Sequence, residues 1–302
     1  MLQLGKHAII AGSTKCGTTS LFQYLSVHPQ ICASLVKETR FFWEGEYGLP
    51  KPLLNNKDVK NYNDFFSECT ENKIKLEATP DYLYSPLTAQ KIKREIPQCK
   101  IVFILRTPQE RIISWYKYAK QRGYLSAQLT LDGYIKLLKE ADAANCPQYL
   151  KALEQGRYGY YLRHYLTLFG KEKIFISFHK NLQSNPKAFM FSLCDFLEID
   201  KSCYNNFDFK IYNPSLNVKS VSGLKKYIRF KKLLRSYNNR LPQGLRKFFK
   251  KALKPVDTIY LNNKTEKWNE INISSQDKIF LSEYYREDHL MLEELLNKKI
   301  IW

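Results

Sequence analysis

What this chain of 302 residues lacks narrows its reading first. It holds no run of about eighteen apolar residues, so no transmembrane helix is expected. Its first apolar run begins at about residue 7, which leaves no room for a signal peptide, and the expectation is a soluble, cytoplasmic chain. Its seven cysteines are an odd number without a C-x-x-C pair, which speaks against a zinc site and against a disulfide framework. Cys194 and Cys203 are spaced so that they could pair, but reduced thiols are the expectation. Acid is scarce as well: 29 Asp and Glu face 48 Lys and Arg, a net charge of +19. Acidic ligands, an anionic polymer or a membrane surface are therefore the favoured partners. No internal repeat or low-complexity segment occurs, and a chain of this length can bury a full core.

What is present begins with Ala8-Ile9-Ile10-Ala11-Gly12-Ser13-Thr14-Lys15-Cys16-Gly17-Thr18-Thr19-Ser20-Leu21. An apolar strand breaks into a loop of small residues, which opens a helix with Leu21, Phe22 and Leu25 on its apolar face. Strand, glycine-containing turn and helix N-terminus together make an anion site, because backbone N–H groups and the helix dipole point at the same spot. Gly12 and Gly17 have the spacing of a nucleotide-triphosphatase loop, but Thr18 stands where that loop carries its lysine. The lysine here is Lys15, inside the loop, where it sits beside a single terminal group. A strand-to-helix turn without a ligand is the plainer alternative.

His28-Pro29 ends the first helix, with His28 read as a cap or packing residue. In Lys37-Glu38-Thr39-Arg40-Phe41-Phe42-Trp43, three aromatics stand beside one carboxylate and two cations. They read either as a floor for an acceptor or as aromatic core beside a solvated Glu38. Tyr62, Phe65 and Phe66 suggest a surface helix within 50–72. A strand over Lys73–Glu77 precedes Ala78-Thr79-Pro80-Asp81-Tyr82, and a helix over Pro86–Ile96 buries Leu87, Ile92 and Ile96. Cys99–Leu105 is a buried strand that runs into Arg106, with Pro108 at the first turn of the next helix. Arg106 and Ser114, a little over two helical turns apart, can converge on one phosphate at a strand's carboxyl end. A salt-bridged Arg106 at a helix start fits the local sequence equally well.

Residues 129–169 read as helical, Lys173–Phe178 as a strand and Phe280–Leu295 as a helix. His179, at the end of that strand, is either an acid–base candidate or an ordinary strand-end histidine. Between Lys219 and Lys254 lie thirteen Lys or Arg and no Asp or Glu. Two basic amphipathic helices are expected there, facing an anionic partner or packing an apolar stripe on the core.

Taken in order, these segments resemble the PAPS-dependent sulfotransferases (PAPS is 3′-phosphoadenosine 5′-phosphosulfate), in the branch that includes heparan sulfate sulfotransferases and related bacterial sulfotransferases. The similarity runs from Ala8 to Trp302. Gly12–Leu21 matches that family's 5′-phosphosulfate motif, Ile101–Tyr116 its 3′-phosphate motif, and Glu38 with Phe41-Phe42 its E-x-x-F-F pattern. The resemblance implies one domain over 1–302, an α/β fold with a central, mostly parallel sheet flanked by helices, the P-loop-like sulfotransferase fold. It implies donor contacts from Ser13, Thr14, Lys15, Cys16, Gly17, Thr18, Thr19, Ser20, Arg106 and Ser114. Lys219 and Ser220 are the nearest counterpart of a late anchor. Phe42, Trp43, Asp81 and Tyr82 are implied acceptor contacts. Glu38 is implied as general base, with Lys15 stabilising the leaving phosphate. The sequence departs from the family at Ala78, where glycan-modifying relatives carry lysine.

The expected activity is transfer of a sulfuryl group from PAPS to a hydroxyl or amine of a small-molecule or glycan acceptor, leaving adenosine 3′,5′-bisphosphate (PAP). The base needs only a modest rise in pKa among Phe41, Phe42 and Trp43. No metal and no nucleic-acid partner are expected, while residues 219–254 offer contact with an anionic surface. The alternatives are a nucleotide-dependent kinase, disfavoured by Thr18, and a non-enzymatic polyanion-binding protein, which leaves Glu38 and the loop unexplained.

Overall fold

The computed structural model describes residues 6–45, 47–50, 53–54, 57–70, 72–126, 128–142, 144–210, 212, 217–218, 265–266 and 271–302. A strand buried on both faces must be apolar at nearly every position. His7–Gly12 (β1) is such a strand, buried throughout. Around it lie Ile31–Ala33 (β2), Ile74–Ala78 (β3), Lys100–Leu105 (β4) and Ile174–Phe178 (β5), in the order β2-β3-β1-β4-β5. Every pairing in this sheet is parallel, with Ile9 opposite Glu77 on one side and Ile101 on the other.

The helices in chain order are Thr18–Ser26 (α1), Pro86–Glu95 (α2), Pro108–Gln121 (α3), Leu131–Glu140 (α4), Tyr158–Phe169 (α5), His179–Ser184 (α6), Pro186–Leu197 (α7), Ser275–Tyr284 (α8) and Arg286–Leu296 (α9). Local chemistry sets several starts. Ser85, Thr130 and Asn185 accept from first-turn N–H groups of α2, α4 and α7, and Pro86, Pro108 and Pro186 occupy positions that need no N–H. Alternation along β1 and β4 divides the core. Ile9, Ala11, Ile101, Phe103 and Leu105 join residues of α2, α5 and α9 on one face. Ala8, Ile10, Val102 and Ile104 join α1 and α7 on the other. A third cluster packs α3 against α4 and α8.

Several expectations need correction. Tyr62, Phe65 and Phe66 lie in a short 3-10 turn, Tyr62–Phe66, and are buried rather than on a surface helix. Leu87 is exposed, because the buried face of α2 runs through Thr88, Ala89 and Ile92 toward Ile96 and Leu87 falls off it. Helix does not run through 129–169: two 3-10 turns, Gln148–Leu150 and Glu154–Gly156, separate α4 from α5. The segment 219–254 lies outside the described residues. Val218, just before it, belongs to a two-residue strand, Asn217–Val218, that pairs with Thr265–Glu266 and packs along α3. No helix among the described residues is long and apolar enough to cross a membrane.

The thiols also need correction. Cys32 and Cys69 form a disulfide, with Cα atoms 5.7 Å apart, while Cys194 and Cys203 are free. Spacing gave no hint, since the pair is separated by 37 residues and is made by topology alone. It ties the edge strand β2 to the end of the Tyr62–Phe66 turn. Disulfides persist in oxidising surroundings, so the expectation of a cytoplasmic chain loses the support of reduced thiols. Removing the bond with Cys32→Ser should cost about 2–4 kcal/mol of unfolding free energy. Urea unfolding with and without reductant measures this, and equal midpoints would show that the bond adds nothing.

Candidate functional site

The carboxyl ends of β1, β3 and β4 meet where the strand order reverses, the usual place for a ligand in an open parallel sheet. The loop after β1 sits there because its glycines fit nothing larger. A Cβ on Gly12 would stand 2.8 Å from the Leu83 Cβ, and Gly17 has φ of +87° at the N-cap of α1. No side chain caps this helix, so its first-turn N–H groups face the loop's concavity.

The loop's side chains divide sharply. Ser13 is buried, its N–H donating to the Ile104 carbonyl at 2.9 Å and its hydroxyl 2.8 Å from the Tyr84 hydroxyl. Thr14 meets the same hydroxyl through N–H and Oγ1, at 3.2 and 2.7 Å. Cys16 is buried against Tyr158, and burial pushes its thiol up. Thr18 is buried, and Ser20 accepts from the Tyr212 N–H at 3.2 Å. These five were expected to face a ligand, but the side chains of Ser13, Thr14, Cys16 and Ser20 make internal contacts instead and that of Thr18 is buried. Lys15, Gly17 and Thr19 keep partial exposure.

Lys15 stands in the left-handed region at φ of +66°, and its ammonium lies 3.8 Å above the Tyr118 ring on α3. Burial, then Arg122 and Arg106, lower its pKa to about 8, against smaller opposing pulls from Cys16 and Glu38. Ser114, Tyr118 and Arg122 recur every four residues, so Ser114 is half-buried on the helix face that meets Lys15. Arg106 leaves the end of β4 and binds Glu110 through Nε at 3.1 Å, so the salt-bridged reading holds. Its charge also acts on Lys15 and Cys16, so it stands beside the loop. His179 packs its ring against Gly17, and burial, with Arg106, lowers its pKa to about 4. It is a neutral neighbour of the loop.

A second segment supplies the carboxylate. Thr39 donates to Glu77 at 2.5 Å, Thr79 donates to Glu77 at 3.0 Å, and the Arg40 N–H donates to Thr79 Oγ1 at 3.2 Å. This buried network fixes the turn that presents Glu38. Lys37 and Arg40 reach the Glu38 carboxylate at 3.2 and 2.7 Å. Burial acts to raise the carboxyl's pKa, but Lys37 and Arg40 outweigh it and hold it below its usual value. The expected rise in an aromatic setting is thus reversed. Phe42 is wholly buried against Tyr62, and Tyr82 is wholly buried with its hydroxyl receiving the Phe42 N–H at 3.1 Å, so both are core and not acceptor contacts. Trp43 packs on Tyr47 and donates to its carbonyl. Asp81 is buried, bonded to Tyr47 and Gln148, and raised to about 6 by burial, with Tyr47 opposing and Glu38 adding. Lys219 and Ser220 lie outside the described residues.

The structure thus brings the loop, Lys15, Glu38, Arg106 and Ser114 to one edge. It adds Tyr84, Tyr118, Arg122, Gln155 and Arg111, to which the sequence assigned no role. Arg111 is wholly buried and forms no ion pair among the described residues. Its guanidinium donates to the Ala152 carbonyl and to Gln155, which also accepts from Thr14. A signal existed: Arg111, Trp115 and Ala119 share the apolar face of α3, which marks Arg111 as an inward charge.

Residues 5–267 match the sulfotransferase domain family. Over 96% of this chain the sequence is 24% identical to mouse bifunctional heparan sulfate N-deacetylase/N-sulfotransferase 4, of which it covers 30%. It is 26% identical to the human form 2 of that enzyme over 63% of this chain and 22% of the relative. The chain therefore spans about 30% or less of the length of these curated relatives. A solved sulfotransferase from Alicyclobacillus acidocaldarius superposes with a TM-score of 0.67 at 19% identity, covering 98% of this chain and 97% of that one. The likeness is one of fold: a parallel sheet with helices on both faces.

Glu77 supplies a test of the network under the site. Burial lifts its pKa to about 7 despite the hydroxyls that donate to it. A carboxyl raised on folding stabilises the protein below the unfolded value of about 4.3 and loses that contribution as pH climbs through 7. Unfolding free energy should fall by roughly 1–3 kcal/mol between pH 5 and 8. Glu77→Gln should flatten the profile, and an unchanged slope would place the titration elsewhere.

Proposed function

The chain belongs to the sulfotransferase domain family, and from that premise we propose that it moves the sulfuryl group of PAPS onto a hydroxyl or amine of an acceptor. The observation that carries this is the meeting of an uncapped helix N-terminus, Lys15 and the Glu38 carboxylate at one edge of the sheet. The residues present fit such a donor. The loop leaves the N–H groups of α1 open, Gly12 and Gly17 let it pack closely on Leu83 and His179, and no ion pair among the described residues consumes Lys15.

When bound, PAPS supplies a sulfuryl group whose S–O bond to the 5′-phosphate breaks, the electron pair going to the phosphate oxygen as the acceptor atom bonds to sulfur. The N–H groups of α1 and Thr19 hold the 5′ end. Arg106 and Ser114 hold the 3′-phosphate, Arg106 with the guanidinium nitrogens that Glu110 does not engage. Lys15 places positive charge beside the phosphate oxygen that gains the electron pair. Glu38 takes the proton of the acceptor hydroxyl or amine. The heparan sulfate named in the relatives makes a glycan one acceptor class, and a small alcohol or amine is the other. The basic segment 219–254, preceded by the strand Asn217–Val218 that packs along α3, is suited to an anionic acceptor or surface.

Two experiments test this reading. Calorimetry should show PAP binding at least tenfold more tightly than AMP, since a charge-assisted contact is worth roughly 1.5–3 kcal/mol. PAP affinity should also fall about tenfold per pH unit above 8, where free Lys15 loses its proton, and Lys15→Met should flatten that limb. Equal affinity for the two nucleotides would defeat the donor assignment. In the second experiment, Glu38→Gln should retain PAP affinity and lose turnover by roughly 10²–10⁴-fold. A near-normal rate with labelled PAPS would move the base elsewhere.

A further inference from the structure

A base held between two cations is poorly placed to accept a proton. Lys37 and Arg40 both grip Glu38, and the three side chains are 18%, 27% and 34% exposed for Lys37, Arg40 and Glu38 respectively. The grip is built in by the backbone. Arg40 stands at φ of +56°, a region that costs a non-glycine residue about 1–3 kcal/mol, and is kept there by its bond to Thr79 and by the Trp43 N–H on its carbonyl. That turn folds Arg40 back over Glu38 two residues earlier. Lys37 is fixed from the other side, its carbonyl receiving the Ala78 N–H at 3.0 Å.

The guanidinium is not fully used. Arg40 Nη2 serves Glu38, but Arg40 Nε is buried and has no hydrogen-bond partner among the described residues. A planar fork with one edge unfilled suits an incoming carboxylate, sulfate or phosphate that engages two N–H groups at once. An unmet buried donor is costly, so a ligand that satisfies it gains accordingly. The other charged groups that act on Glu38 are Lys15 from the loop and Asp81 from the turn after β3, with Tyr118 facing it from α3. Among the described residues, Lys37 and Arg40 alone bind its carboxylate directly.

We propose that Lys37 and Arg40 form a subsite for an anionic group carried by the acceptor itself, and that engaging this group draws them off Glu38 and frees the base. The inference rests on the sulfuryl-transfer reading and names its substrate class: a hydroxyl or amine compound bearing an anion near the reacting atom. A neutral compound leaves the grip closed and meets a weakened base. With the anion in place, Glu38 receives the acceptor proton as the acceptor atom bonds to sulfur and the sulfur–phosphate oxygen bond of PAPS breaks.

The test uses a matched pair, 4-hydroxyphenylacetate and 4-hydroxyphenylacetamide, added to the PAP-loaded protein. The Arg40 Nε–H resonance in 15N-labelled protein and the Glu38 carboxyl carbon are followed by NMR. The acid should shift the Arg40 resonance saturably, bind on the order of tenfold more tightly than the amide, and move the Glu38 titration to higher pH. Arg40→Gln and Lys37→Gln should remove the preference, and Arg40→Lys, with charge but no fork, should restore only part of it. Equal binding of acid and amide, an unmoved Arg40 resonance, or a preference that survives in Arg40→Gln would overturn the inference. Wild-type titrations decide the matter even if a variant folds poorly. PAP calorimetry reports separately on the donor assignment, because Arg40 can also be titrated in the free protein.

Discussion

The hydroxyl of Tyr84 is the contact on which the site depends. It meets Ser13 and Thr14 together, from a turn 70 residues further along the chain. A loop whose purpose is to offer N–H groups outward cannot satisfy those groups internally, so something else must keep it from collapsing. Here its own hydroxyls are turned inward onto Tyr84, and Gln155 links Thr14 to the buried Arg111. Burial works against the charge of Arg111, which stands among the neutral Tyr84, Tyr158, Tyr285 and Cys16 and has no ion-pair partner among the described residues. The loop is thus backed by an internal cation that no anion among the described residues neutralises, an electrostatic bias toward an anionic ligand in addition to the helix N-terminus.

Much of this architecture was legible because it is periodic or locally signalled. The apolar runs Ala8–Ala11 and Ile101–Leu105, the glycine spacing in the loop and Pro108 after Arg106 each follow from short-range chemistry, and each is found where the sequence placed it. What escaped was decided over distance. Whether a loop serine faces a ligand or Tyr84 depends on a residue 71 positions away. The Phe41-Phe42-Trp43 run has no alternation to tell floor from core, and only the packing of Tyr62 on Phe42 settles it. Glu38 was legible as a carboxylate beside aromatics. The direction of its pKa was not, because that depends on a left-handed turn at Arg40, a conformation that sequence signals at glycine and asparagine far better than at arginine.

The two halves of the site are supported in different ways. The loop rests on the sheet's central strand and on α3. The Glu38 turn rests on hydroxyls of Thr39 and Thr79 gathered around one buried carboxyl, close to the disulfide-tied edge. The loop side thereby combines apolar packing with the Tyr84 hydrogen bonds, while the Glu38 side is organised by polar groups whose protonation matters. The Glu38 turn is nonetheless joined to the core beneath the loop, since Phe42 and Tyr82 belong to the same apolar cluster as Ile9, Ala11 and Phe103.

The strand order also constrains how this protein is made. β1 is translated first among the sheet strands, yet it ends in the middle, between β3 and β4. Neither neighbour exists until residues 74–78 and then 100–105 have left the ribosome. Through that interval a mostly apolar strand, with the loop attached, has no edge to pair with, and parallel pairing pays its loop-closure entropy before any contact rewards it. At synthesis rates of roughly 5–20 residues per second, the gap lasts several seconds. During that time the cover that the chain itself can offer β1 is α1, whose Leu21 and Leu25 share a core cluster with Ala8 and Ile10.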